Sequence, residues 1–182
     1  MGKYYAQAVS RKDMRQLAYF IRKKFGYLND WKIPVDVLLD QMEDAFKDFS
    51  YEIVPDEEWD DPETHADTDV LEHIIRIRES IYIRACNGIG RDRMTIAHEI
   101  AHYIIICVMG VKLYSRSENM TVEPCCDPEW QAKCLAGELL IPYYKIKERS
   151  KKPSVLLIEV LCGVSSDAAE YQLQFIIGGD VT

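Results

Sequence analysis

The chain has 182 residues, 48% hydrophobic and 29% charged, which suits one globular core and leaves too little for two large ones. A net charge of -8 and a sequence pI near 5.0 set the whole molecule against nucleic acid phosphates at long range, so direct nucleic acid binding is disfavoured. No apolar run approaches the roughly 18 residues of a membrane span, and the start Met1-Gly2-Lys3-Tyr4-Tyr5 lacks the apolar stretch of a signal peptide. The expectation is a cytoplasmic protein with no membrane partner.

Residues 9–25 place Met14, Leu17, Ala18 and Ile21 at helical spacing, which predicts a helix with a solvated basic face made by Arg11, Lys12, Arg15, Arg22, Lys23 and Lys24. Ile33-Pro34-Val35-Asp36 opens a second helix through Leu38, Leu39, Met42 and Phe46, with Pro34 suited to its first turn, and this helix is expected to pack on the first. Tyr51-Glu52-Ile53-Val54 reads as a short strand. Residues 55–69 follow as a solvated acidic loop carrying Asp56, Glu57, Glu58, Asp60, Asp61, Glu63, Asp67 and Asp69 around His65, without the ordered spacing of a calcium loop.

Ile75-Arg76-Ile77 and Ile81-Tyr82-Ile83-Arg84 alternate in polarity about Arg78-Glu79-Ser80 and predict a hairpin. Such strands are expected to offer a sheet edge to an extended peptide, since edge pairing supplies backbone hydrogen bonds without side-chain selectivity. His73 just before them reads as a surface or half-buried residue. Asn87-Gly88-Ile89-Gly90 then forms a turn.

The next stretch, Thr95-Ile96-Ala97-His98-Glu99-Ile100-Ala101-His102-Tyr103, holds the pattern H-E-x-x-H. Its flanks favour a helix, with Asp92 or Thr95 as N-cap, apolar residues recurring as far as Val108, and Gly110 as a stop. Four helical residues turn the chain through about 400°, so His98 and His102 project from one face, about 40° apart, and can share one cation. Glu99 is offset by about 60° from His102, beside a metal and not on it, which is where a general base belongs. A helix apolar almost all round is buried, and a buried pair of imidazoles with a carboxylate needs partners.

After a short strand at Val111-Lys112-Leu113-Tyr114 and a polar loop over residues 115–126, Asp127-Pro128 starts another helix, which ends before Pro142. Glu129, Ala132 and Ala136 fall on one of its faces, and the two alanines allow a close helix approach that would bring Glu129 to a metal. Glu138 points about 180° away. The spacing therefore favours Glu129 as third ligand, with Glu123 and Asp127 as weaker alternatives, although an acidic residue in a first turn also has its own electrostatic reason to be there. The cysteines, Cys86, Cys107, Cys125, Cys126, Cys134 and Cys162, follow no disulfide or zinc spacing and are read as free thiols outside the site.

Taken together, Arg91-x-Arg93-Met94-Thr95-x-Ala97-His98-Glu99-x-x-His102-Tyr103 and Glu129-x-x-Ala132-x-x-Leu135-Ala136-x-x-Leu139-Leu140-Ile141-Pro142 resemble the ImmA/IrrE metallopeptidases. The likeness extends over most of residues 30–177, with Met94 and Cys134 standing where that family usually has aromatics. The resemblance implies that Glu129 is the third zinc ligand, and that the substrate is a repressor-type transcription factor of a mobile element or stress regulon. It also implies an α+β, zincin-like fold: a helical bundle with a small, mostly antiparallel sheet and an active-site helix carrying H-E-x-x-H.

The expected domains are a metallopeptidase unit over residues 1–150 and a helix-turn-helix-like appendage over residues 151–182. This appendage has no Lys or Arg from Pro153 onward but has Glu159, Asp167, Glu170 and Asp180, so it is read as packing or docking structure and not as a DNA reader. The first functional reading is a Zn2+-dependent endopeptidase, with His98, His102 and Glu129 on the metal, Glu99 as catalytic base, and Arg93, Tyr143 and Tyr144 as candidates to stabilise the oxyanion. The alternative is a metal-bound regulator that binds a partner protein without cutting it. The base Glu99 argues against that alternative, because a structural metal site needs ligands and no base.

Overall fold

The structure is a computed structural model that describes residues 4–59, 61–116 and 121–178. Asp60, Asp180 and residues 117–120 of the loop before Cys126 lie outside the described residues. In chain order the elements are β1 (Tyr4–Ala6), α1 (Arg11–Lys24), α2 (Val35–Ala45), β2 (Ser50–Val54), β3 (Ala66–Asp69), β4 (Ile74–Arg78), α3 (Glu79–Cys86), α4 (Gly90–Tyr103), β5 (Leu113–Ser115), α5 (Pro128–Leu140), α6 (Tyr143–Arg149), α7 (Val155–Cys162) and α8 (Ser166–Gly178). This is the α+β architecture that the sequence implies, with helices around two small sheets.

The centre is α4 lying against α5. Both helices bury small residues, Ala97 and Ala101 on one and Ala132 and Ala136 on the other, and small side chains let helix axes approach closely. Asp127 caps α5 by accepting from the Glu129 N–H at 3.0 Å, and Pro128 fills the first helical position, as expected. At the start of α4 neither Asp92 nor Thr95 is the cap. The helix begins at Gly90 after Ile89, and Asp92, inside the first turn, instead pairs with Arg84 at 2.8 Å. Beyond Tyr103 the chain continues as a π turn, Ile104–Val108, before Gly110 at φ 68° stops it.

α1 does not present its basic residues to water as a solvated face. Its packing partner is α5, and Arg11 and Arg22 are buried. Arg15 donates to Glu138 from Nε at 3.0 Å and from Nη2 at 3.1 Å, Arg11 lies 3.6 Å from the same carboxylate, and Arg22 donates to the carbonyl of Leu139 at 2.7 Å. A buried acid on α5 pairs Arg11 and Arg15, and a carbonyl of the same helix takes Arg22, leaving Lys12, Lys23 and Lys24 exposed. α2, expected to pack on α1, packs chiefly on α3, α4 and β2.

The hairpin expected over Ile75 to Arg84 is not formed. Ile74–Arg78 is a strand, but the chain then turns into α3, because Ile81 and Ala85 are buried at helical spacing while Ile83 is 50% exposed. The Asp56 carboxylate supports that turn by accepting the Ser80 N–H at 3.0 Å, at the open end of the helix. The partner strand comes instead from the acidic stretch: β3 pairs antiparallel with β4 and β2 pairs parallel with it, in the order β2-β4-β3. β1 and β5 form a separate antiparallel pair.

At the end of the chain Ser154 caps α7 and Ser165 accepts from the Ala168 N–H in the first turn of α8, the two helices expected there. Ile158, Cys162, Val164, Ala169 and Ile176 join the same buried cluster as the residues of α4 and α5.

Glu138 is fully buried between two arginines, so Glu138→Ala strands charged groups without their partner and should lower unfolding stability by about 3–5 kcal/mol. Denaturant unfolding checks this. Glu129→Ala, at the exposed start of the same helix, should change apo-protein stability by less than about 1 kcal/mol.

Candidate metal centre

Three side chains from two helices converge at the open end of the α4–α5 seam. His98 and His102 stand one turn apart on α4 with Nε2 atoms 3.0 Å from each other, their rings nearly perpendicular at 86°. From the first turn of α5, Glu129 brings Oε2 to 3.3 Å from His98 Nε2 and 3.5 Å from His102 Nε2. Among the described residues this is the group of His, Cys, Asp and Glu side chains whose ligand atoms lie close enough, within 4.8 Å, to hold one ion.

The donor set fits a metal. Two imidazole lone pairs aimed at one point repel each other unless a proton or cation sits between them, and two imidazoles with one carboxylate make the three-ligand set that leaves a fourth position open at catalytic zinc. Hydrogen bonds from His102 and His98 hold the Glu129 carboxyl well below the usual carboxylate range, so it stays anionic for a cation.

Glu99 faces the same cleft but stands outside the trio. It is almost fully buried, and burial pushes its carboxyl above the ordinary range, against the lowering effects of the Thr68 hydroxyl and the two imidazoles. Thr68 donates to Glu99 Oε2 at 2.7 Å, which fixes the direction of the carboxylate. A desolvated, oriented carboxylate beside an imidazole cluster is equipped to take and return a proton.

The cleft has a volume of about 380 Å³. Ala66, Asp67 and Thr68 of β3 form one wall, and Tyr4, Val70, Ile106 and Leu113 supply apolar surface. β3 is the sheet edge here, and β4, expected to offer that edge, is the central strand. Thr68 is a cleft residue, bonded to Glu99, that sequence reasoning missed: Ala66-Asp67-Thr68-Asp69 has no apolar alternation, and its aspartates read as solvated loop.

The oxyanion candidates do not line this cleft. Arg93 is buried and donates to the carbonyls of Cys162, Gly163 and Ile33. Tyr144 donates to the Leu28 carbonyl at 2.7 Å, and Tyr143 lies under the Arg15 guanidinium. Glu123 is exposed and outside the cluster, while Asp127 lines the cleft but is engaged as the α5 cap. All six cysteines are free, and Cys125 and Cys126 stay outside the cluster. His73 is half-buried against Tyr103, as expected.

The family model of the IrrE N-terminal-like domain, the M78 peptidases, matches residues 49–174. The chain belongs to that family. No curated protein and no solved structure matches it. The matched M78 span contains β3, α4, α5 and every residue of the cleft except Tyr4, and leaves out β1, α1 and α2. No helix of the described residues is long and apolar enough to cross a membrane.

If the trio binds a divalent ion in the folded state only, saturating metal should raise the melting temperature, by about 2.7 kcal/mol of added stability at a hundredfold excess over Kd. His98→Ala and His102→Ala should abolish that rise and Glu129→Ala should weaken it. Glu138→Ala should melt lower yet keep the full metal-induced increment, which differential scanning fluorimetry with and without chelator will resolve.

Proposed function

We propose that this chain is a zinc-dependent endopeptidase that cuts a repressor-type transcription factor. The observation that carries the reading is the convergence of His98 Nε2, His102 Nε2 and Glu129 Oε2 beside the buried, Thr68-held carboxylate of Glu99 in a chain of the M78 family. Bound there, the metal would acidify a water and polarise the scissile carbonyl. Glu99 accepts the water's proton and returns it to the leaving nitrogen, a cycle for which a carboxyl raised by burial is better matched than an exposed one. Thr68 keeps Glu99 aimed through that cycle.

The substrate lies extended along the cleft wall. As an edge strand, β3 offers backbone groups on the side away from β4, so a peptide can add to it while Tyr4, Val70, Ile106 and Leu113 receive an apolar side chain. The family resemblance, and not the geometry, supports a repressor of a mobile element or stress regulon as that peptide's source. A repressor substrate places the enzyme in the cytoplasm.

Glu99→Gln keeps size and helix while removing the proton acceptor, so metal content should be retained and cleavage should fall by about 10² to 10⁴. The assay is co-expression with a tagged repressor-type transcription factor, followed by immunoblot and metal analysis. Equal fates of the repressor with wild type and variant would overturn the peptidase reading in favour of a metal-bound regulator that binds without cutting.

Thr68→Val removes a hydrogen bond to a carboxylate, an interaction worth about 1.5–3 kcal/mol. It should lower kcat by roughly tenfold or more with little change in KM, lower the melting temperature by several degrees because a buried acceptor loses its donor, and Thr68→Ser should restore both. An unchanged kcat in Thr68→Val would remove Thr68 from the machinery.

A further inference from the structure

On the other side of His98 from the acidic cleft lies a second pocket, of about 300 Å³, lined by Arg91, Met94, Thr95, His98, Lys133 and Ser165. The two cavities share His98 and differ in sign. The first contains the carboxylates of Asp67, Glu99, Asp127 and Glu129 and no lysine or arginine; the second contains two cations and no carboxylate. In a chain of net charge -8 such a separation needs a local cause.

The cause is how three helices meet. Arg91, Met94 or Thr95, and His98 form one stripe along α4 from its first turn, and Lys133 on α5 reaches over the Tyr171 ring of α8 at 4.3 Å from the centroid. Ser165 stands just ahead of α8 and accepts from its first turn. Gly90 makes the junction close: a Cβ there would meet Val164 C at 2.4 Å and Ser165 N at 2.5 Å, both backbone atoms. Two helix N-termini, of α4 and of α8 with its Ser165 cap, therefore come together at this pocket, and the positive ends of their dipoles add to the field of the two cations. Arg91 and Lys133 are exposed and have no acidic partner among the described residues.

We infer that this pocket takes a carboxylate of the bound peptide, supplied by an acidic side chain or by a free chain terminus a few residues from the bond at His98. The inference rests on the peptidase reading for the identity of the ligand as a substrate, but binding tests it without turnover. The carboxylate and the apolar surface of the first cavity together fix which way the chain threads: acid toward Arg91 and Lys133, apolar or basic residues toward β3. A peptide threaded in reverse would set its acid against Asp67 and Asp127, and like-charge juxtaposition is what rejects wrong partners at interfaces.

The test uses zinc-loaded full chain and fluorescein-labelled peptides with a common apolar centre, followed by anisotropy. Four ends are compared: Glu, Gln, a free terminal carboxylate with no other acid, and the same terminus amidated. Either carboxylate should bind roughly tenfold tighter than its neutral counterpart, since two exposed ion pairs and two helix ends contribute a few tenths to one kcal/mol each, and the advantage should shrink above about 0.5 M salt. Which of the two carboxylates is preferred identifies the source. The double variant R91E/K133E should reduce the preference to less than twofold or reverse it, with a melting temperature lowered by no more than the few degrees that loss of the exposed Lys133–Tyr171 contact explains. Equal binding of charged and neutral peptides, or a preference that survives R91E/K133E, would overturn the inference. Cleavage is scored separately in the same samples: carboxylate preference without any cleavage keeps this pocket and discards the peptidase, and cleavage without preference does the reverse.

Discussion

The structure depends on how closely α4 can lie against α5. The histidines are fixed by spacing within one helix, but Glu129 belongs to another element 27 residues after His102 in the sequence, and only the approach of two alanine-bearing helices carries its carboxylate to within 3.5 Å of both imidazoles. Larger side chains in place of Ala97, Ala101, Ala132 or Ala136, all without solvent exposure, would have to push the axes apart. The two ends of α5 then serve opposite needs. Its exposed start presents Glu129 to the cleft, and Glu138, two turns and more away on the other face, binds Arg11 and Arg15 of α1 and so ties the N-terminal helix to the same scaffold.

Around this pair the polar groups are arranged by burial. Glu99 sits deeper than Glu129, and the two carboxyls are pushed in opposite directions, Glu99 up by desolvation and Glu129 down by its imidazole contacts. Two carboxyls with divergent environments suit two roles, one exchanging protons and one holding charge. The edge strand β3 does more than bound the cavity, because its Thr68 reaches Glu99 directly and links the surface where a peptide would lie to the group that would act on it.

The site was legible wherever one helix carries the information. His98, Glu99 and His102 follow from a pattern and a helical period, and Glu129 with Glu138 from the opposite faces of one helix, since angular offsets within an element need no knowledge of tertiary structure. What depended on long-range pairing was misread. The aspartates of β3 looked like solvated loop because an edge strand with one polar face has little apolar alternation to show. Ile81 and Ile83 looked like a strand because short apolar runs fit either period, and only burial separates the inward Ile81 from the exposed Ile83. Arg11, Arg15 and Arg22 of α1 looked like surface charge because their acceptors, the Glu138 carboxylate for the first two and the Leu139 carbonyl for the third, lie more than a hundred residues away. Arg93, a candidate for the oxyanion on sequence, instead fastens α4 through its guanidinium to the carbonyls of Cys162, Gly163 and Ile33.

Everything above turns on one metal ion held where His98, His102 and Glu129 converge. X-ray diffraction from crystals of the zinc-loaded protein, with data above and below the zinc absorption edge, tests it most directly. One anomalous peak is expected about 2.0–2.2 Å from His98 Nε2, His102 Nε2 and a Glu129 oxygen, with the Glu99 carboxylate nearby and not bonded to it. A peak at Cys125 and Cys126, or none between the two histidines, would contradict it.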